Sequence, residues 1–101
     1  MGQRIDLQTK LESFLGCKNV YYEPPENVKI KYPAIVYSKD DMYRISADNR
    51  GYISYSQYTI TVIDYMPDNP AIKKILEMPM ASYDRHYRSN NLEHDIINIY
   101  W

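Results

Sequence analysis

The sequence predicts an α+β fold: a mainly antiparallel sheet of four to five strands, with an N-terminal helix and a second short helix packed on it and one long projecting hairpin. Three observations point there. Leucines and a phenylalanine recur at helical spacing near the start of the chain. Three later stretches are dense in β-branched and aromatic residues. The last of these is interrupted by Asn90-Asn91, a pair suited to a tight hairpin turn. At 101 residues the chain is long enough for one core and reads as a single domain, residues 1–101.

The first element is "RIDLQTKLESFLG", in which Leu7, Leu11, Phe14 and Leu15 share one helical stripe. Gly16 follows as a left-handed C-cap. "NVYYEPPE" is a brief edge strand cut off by Pro24-Pro25, because proline donates no ladder hydrogen bond. "NVKIKYPAIVY" alternates Val28, Ile30 and Tyr32 with Lys29 and Lys31, then turns apolar on both faces from Ala34 to Tyr37, as a central strand does. The longest strand is "YISYSQYTITVIDY", residues 52–65, whose centre Thr59-Ile60-Thr61-Val62-Ile63 is rich in β-branched residues. Between the two, polar "KDDMYRISADNRG" carries turn chemistry at Asp48-Asn49 and Gly51, which predicts a long hairpin whose tip projects beyond the sheet. In "PDNPAIKKILEMP", Asn69 is the N-cap, Pro70 sits at N1, and Ile72, Ile75 and Leu76 form the apolar face of a short helix closed by Pro79.

The bulk numbers restrict function. A formal charge of −1 provides no overall field to hold nucleic acid or an anionic membrane. One cysteine, Cys17, rules out an internal disulfide and any multi-cysteine zinc site, and it fits a reducing compartment as a small hydrophobe after a helix. "MGQRIDLQTK" lacks the apolar core of a signal peptide, and Asp6 stands where myristoylation wants a hydroxyl, so the expectation is a soluble, unsecreted protein. Tyrosine is the outlier: twelve occur against one Phe and one Trp. Its ring suits strands and its hydroxyl suits wet surfaces, so it reads as sheet core plus subunit contact.

The final stretch, "SYDRHYRSNNLEHDIINIYW", gathers Asp84, His86, Glu93, His94 and Asp95, a set that could be metal ligands, a catalytic cluster or hairpin decoration. With Asn90-Asn91 as a two-residue type I′ turn, Arg88 faces Glu93 and His86 faces Asp95 on one side of the ribbon. Each such pair contributes about 0.2–1 kcal/mol. His94 falls opposite Tyr87 on the other side, because strand side chains alternate, so the two histidines do not converge on one ion. Glycine-rich phosphate loops, a nucleophile elbow and the HExxH pattern are all missing from the sequence. Asp40, Asp41 and Asp48 read as a solvated loop. The expectation is a non-enzyme with no catalytic, cofactor or metal residues.

"KYPAIVY", then "YTITVIDYMPDNP", then "YDRHYRSNNLEHDIINIY" resemble, in that order, a family of small proteins from the morphogenesis modules of long-tailed phages. Its members are described as tail completion, head–tail joining or minor structural proteins, and the chain resembles the tail-terminator group, whose best known member is that of phage lambda. The similarity runs from about Leu11 to Tyr100. It implies a sheet flanked by helices and a hexameric ring on the head-proximal end of the tail tube. That ring would stop tube polymerisation and meet the head connector, as a neck component of the virion assembled in the host cytoplasm. The implied partners are further copies of the chain, the tail tube protein and the head-connector proteins, with no membrane. Duplex DNA would pass through the lumen without specific binding. A compact chain of this length approximates a sphere of roughly 33 Å, and six such spheres in a ring leave a hole of about the same width. Other neck proteins of similar size (head completion, stopper or minor tail proteins) stay open. So do a small binding module that grips a peptide or single-stranded nucleic acid through its tyrosines, and a metal enzyme resting on His86 and Asp95. Steep salt dependence of binding would mark the nucleic-acid module, and retained metal the enzyme.

A head-to-tail ring needs two different patches per subunit. The arm from Asp41 to Tyr55 is the sequence's best candidate for one, since Tyr43, Arg44, Arg50, Tyr52 and Tyr55 are types enriched at interface anchors. Replacing Tyr52 and Arg44 together by alanine should leave a folded monomer that does not assemble, checked by circular dichroism and light scattering. Normal ring formation by that variant removes the arm from the interface.

Overall fold

The computed structural model describes the backbone of residues 4–46 and 52–101 and the side chains of residues 4–39 and 57–101. The chain runs through α1 (Arg4–Leu15), β1 (Val20–Tyr22), β2 (Ala34–Ser46), β3 (Tyr52–Asp64), α2 (Pro70–Leu76), β4 (Ala81–Ser89) and β5 (Leu92–Tyr100). The five strands form one sheet in the order β1-β2-β3-β5-β4. Only β1 and β2 run parallel, so the architecture is the α+β one with a mostly antiparallel sheet. No helix among the described residues is long and apolar enough to cross a membrane.

Register fixes what each face carries. One set of rungs across β2, β3, β5 and β4 is Ile35–Val62–Asp95–His86 and Tyr37–Ile60–Ile97–Tyr83, and Val20 and Tyr22 of β1 join it beside Ile35 and Tyr37. Both helices pack on this face. Leu7 and Leu11 of α1 and Ala71 and Ile75 of α2 are fully buried against Ile35, Tyr37, Ile60, Ile97 and Ile99. Each such apolar side chain contributes about 1.5–3 kcal/mol of burial. Tyr22, Tyr37 and Tyr58 join the core as a trio with ring centroids 5.0–6.5 Å apart. The Tyr37 hydroxyl donates to Gln8 Oε1 and accepts from Arg4 Nη1 at 3.2 Å, so its polar atom is not stranded.

Local chemistry explains the element ends. Gly16 has φ of 85°, and its N–H donates to the Glu12 carbonyl at 2.9 Å, which ends α1 with a left-handed cap. Asn69 Oδ1 accepts from the Ala71 N–H at 2.8 Å, with Pro70 at the first helical position. Asn90 and Asn91 have φ of 54° and 63°, as a type I′ turn requires, and Ser89 pairs with Leu92 across it.

Several expectations need correction. Residues 28–33 are not strand: β2 begins at Ala34, and the preceding segment is the crossover between two parallel strands. Its alternating Val28, Ile30 and Tyr32 have no neighbouring ladder, and Val28 is exposed. The buried stripe of α2 is Ala71 and Ile75, continued by Met78, while Leu76 is exposed and Ile72 only partly covered. The 71/75/78 spacing keeps one helical face toward the sheet, whereas 72 and 76 sit at its edge. β2 and β3 pair antiparallel from Ala34↔Ile63 to Ser46↔Tyr52, with a register shift between Lys39 and Asp41. The expected projecting tip lies outside the described residues. The principal extents, 50 × 26 × 22 Å, replace the sphere assumed above.

Register also shifts between Tyr83 and Arg85. Unbroken pairing from the turn would set Asp84 opposite Ile97 on the helix-covered face. The bulge leaves Asp84 unpaired and sets Tyr83 there instead. Deleting Asp84 should therefore keep both flanks in register and change stability by no more than about 1 kcal/mol. Deleting Tyr87 throws His86 and Arg85 onto the wrong face even when loss of the bulge restores Tyr83 opposite Ile97, and should cost several-fold more. Urea unfolding of the two deletions is the check.

Candidate functional site

The polar cluster of the C-terminal hairpin brings a histidine, a phenol, a guanidinium and two carboxylates together. It stands on the helix-covered face, where that face turns from apolar to charged. Along β5 the side chains Ile99, Ile97, Asp95 and Glu93 point the same way. Asp95 is only 7% exposed, so its carboxylate must be met by donors. Two come from β4 to the same oxygen: Tyr83 Oη donates to Asp95 Oδ1 at 2.6 Å, and His86 Nδ1 donates to it at 2.8 Å. The other nitrogen, His86 Nε2, donates to Glu93 Oε1 at 2.8 Å. Arg88 Nε donates to Glu93 Oε2 at 3.2 Å.

Arg88 thus faces Glu93 and His86 faces Asp95, as the turn register dictates. His94 lies on the opposite face, stacked on Tyr87 with centroids 4.6 Å apart and planes 10° from parallel, while its Nδ1 donates to the Leu92 carbonyl at 3.1 Å. Asp84, extruded by the bulge, is exposed and stands apart from the cluster. Tyr83 is the member that sequence reasoning missed. Unbroken pairing puts it on the other face, and the only hint of the bulge was that such pairing would bury Asp84 against Ile97.

The electrostatics follow from these contacts. The Asp95 carboxylate, with burial second, pushes the Tyr83 phenol up to about 12 from its ordinary value of 10. His86 is raised above 6.5, chiefly by the hydrogen bond to Asp95 and then by Glu93, against an opposing desolvation. Both ring nitrogens and both carboxylates already have partners inside the hairpin. What this geometry does is join an exposed edge strand to a buried one. Beside it, an open cavity of about 410 Å³ lies between α2 and β4, lined in part by Asp68, Pro70, Ile72, Leu76, Tyr83 and Asp95. Among the described residues no group of three His, Cys, Asp or Glu side chains is placed to hold a metal ion. Cys17 is a half-buried free thiol.

The proposed interface residues divide. Tyr43 and Arg44 belong to β2 and Tyr52 and Tyr55 to β3, with Tyr43 opposite Tyr55 in the ladder. Their side chains, Arg50 as a whole, and the acids Asp40, Asp41 and Asp48 lie outside the described side chains. No protein-family model matches the chain, and no curated protein matches it.

One titration tests the cluster. Tyr83, isolated by subtracting the Tyr83→Phe spectrum at alkaline pH, should ionise near 12. In the Asp95→Asn variant it should fall toward 10, since the charge that opposes phenolate formation is gone.

Proposed function

We propose that the chain is a self-assembling structural subunit of the long-tailed phage neck. In this reading it is a tail terminator, ring-forming at the head-proximal end of the tail tube, where it stops tube growth and meets the head connector. The sequence resemblance motivates the reading. Its quoted stretches fall on β2, on β3 with the turn into α2, and on the β4–β5 hairpin, which together make nearly the whole sheet.

The observation that carries the assembly part is the sheet face away from the helices. Its rungs are Ala34–Ile63–His94–Tyr87, Val36–Thr61–Ile96–Arg85 and Ser38–Thr59–Asn98–Ser82. Arg85 is the one Lys, Arg, Asp or Glu among these twelve positions, whereas such residues make up 25% of the chain. Ala34, Ile63 and Ile96 are already buried within the chain, and the nine positions that remain at least partly open still carry one such charge, a depletion that suits an interface centre. Thr59 Oγ1 already donates to Asn98 Oδ1 at 3.2 Å, which quiets the polar groups of the outermost rung.

The dimensions are compatible with a conduit. Six subunits whose short extents of 22 and 26 Å lie along the ring leave a hole of roughly that width. A chain of net charge −1 would line it without clamping the phosphates of passing DNA.

Mass in solution and electron microscopy of the protein mixed with tail tubes test the function directly. Rings capping tube ends are the expected result, and bare tube ends beside a persistent monomer would end the proposal. Thr61→Asp, which sets a charge in the middle of the bare face, should weaken association by about 2–5 kcal/mol while leaving the fold intact. Unchanged assembly of that variant would move the interface elsewhere.

A further inference from the structure

We infer that His86 is a pH-operated latch on the edge strand: only a doubly protonated imidazole can donate to Asp95 and Glu93 at once, so one exposed side chain sets how firmly β5 holds β4. Carboxylates accept and do not donate, and a neutral imidazole has a single N–H. With both carboxylates ionised, the contacts Nδ1 to Asp95 and Nε2 to Glu93, both at 2.8 Å, are satisfied together only by an imidazolium. The His86 side chain is 41% exposed, so solvent protons reach it without unfolding the chain.

Charged and titratable groups face it from three sides, and from β3 Asp64 stands directly across from Glu93 with its Oδ2 held by Asn69 Nδ2 at 2.8 Å. From β5 come Asp95 and Glu93, and from β4 come Tyr83 and Arg88. From α2 and its approach, Lys73 and Asp68 line the cavity that Asp95 and Tyr83 share. When His86 loses a proton, the Nε2 proton is the one to go. Glu93 keeps Arg88, whereas buried Asp95 has only Tyr83 beside His86 among its named donors. Glu93 Oε1 then confronts a nitrogen lone pair, and one of the two must turn away.

β4 is the element that feels this. It is exposed along almost its whole length, with only its first residue, Ala81, packed against the core. Its attachment is the ladder to β5, a modest contact with α2, and this cluster. Elements held this way open locally at less cost than the global unfolding. His86 is raised above 6.5 when β4 is docked, so the latch is fully closed below that value and releases as pH climbs through the docked-state pKa. Release makes local opening of β4 more frequent, and each opening uncovers the edge of β5 and the Tyr83 wall of the cavity.

The experiment is an NMR titration of the His86 ring from pH 5 to 9, paired with amide exchange corrected for intrinsic rate. Both ring nitrogens should carry protons at pH 6, with a midpoint above 6.5. Protection of residues 85–89 should then fall across the midpoint by a factor of about ten for each pH unit separating it from 6.5, while Ile60–Val62 stays protected. His86→Gln should make protection of β4 independent of pH, and Glu93→Gln should lower the midpoint. A midpoint at or below 6.5, a singly protonated ring at pH 6, or β4 protection that ignores the titration would overturn the latch. The wild-type titration decides the matter even if the variants do not fold.

Discussion

Alternation along β5 is the constraint from which the rest of the structure follows. A strand turns every second side chain the same way, so Ile99, Ile97, Asp95 and Glu93 share one face. Ile97 and Ile99 lie under the helices and are fully buried. Two residues on, the same row becomes a buried carboxylate. Leaving Asp95 without donors would cost more than any single contact nearby returns. The strand that supplies those donors is β4, whose phenol and imidazole reach Asp95 while its guanidinium reaches Glu93. The hairpin is thus held at one end by apolar packing and at the other by a polar network.

The tyrosines show how one residue type serves both ends. Tyr37 keeps its ring in the core and its hydroxyl on Gln8 and Arg4. Arg4 also lies over the Tyr22 ring at 4.5 Å, which ties the start of α1 to the sheet. Tyr83 lends its hydroxyl to Asp95, and the Tyr21 hydroxyl accepts the Lys31 N–H at 3.3 Å. Tyr32 and Tyr65 meet edge to face beyond the end of β3. A phenylalanine at Tyr37, Tyr83 or Tyr21 would fill the same space and leave a polar partner unmet.

The two faces of the sheet divide the labour. One is covered by helices and accommodates the ionised cluster at its margin. The other is nearly free of charge and carries no helix, though Ala34, Ile63 and Ile96 on it are buried. Ionisable groups occupied with one another across a hairpin leave shape and composition as the means by which such a surface acts. That is the physical motive for the assembly we propose.

The sequence by itself determined the elements whose signals are local. The leucine stripe and Gly16 set α1, Asn69-Pro70 started α2, and Asn90-Asn91 fixed the hairpin register, with it the pairing of Arg88 with Glu93 and His86 with Asp95. Each depends on residues within a turn or two of one another. Only tertiary structure decided the rest. The parallel seat of β1 beside β2 stripped residues 28–33 of any ladder, the sheet chose Ala71 and Ile75 over Leu76 as the buried stripe of α2, and the bulge at Asp84 delivered Tyr83 to Asp95. In each case the deciding contact came from a chain segment distant in sequence, or from the cost of burying a charge that no local pattern records.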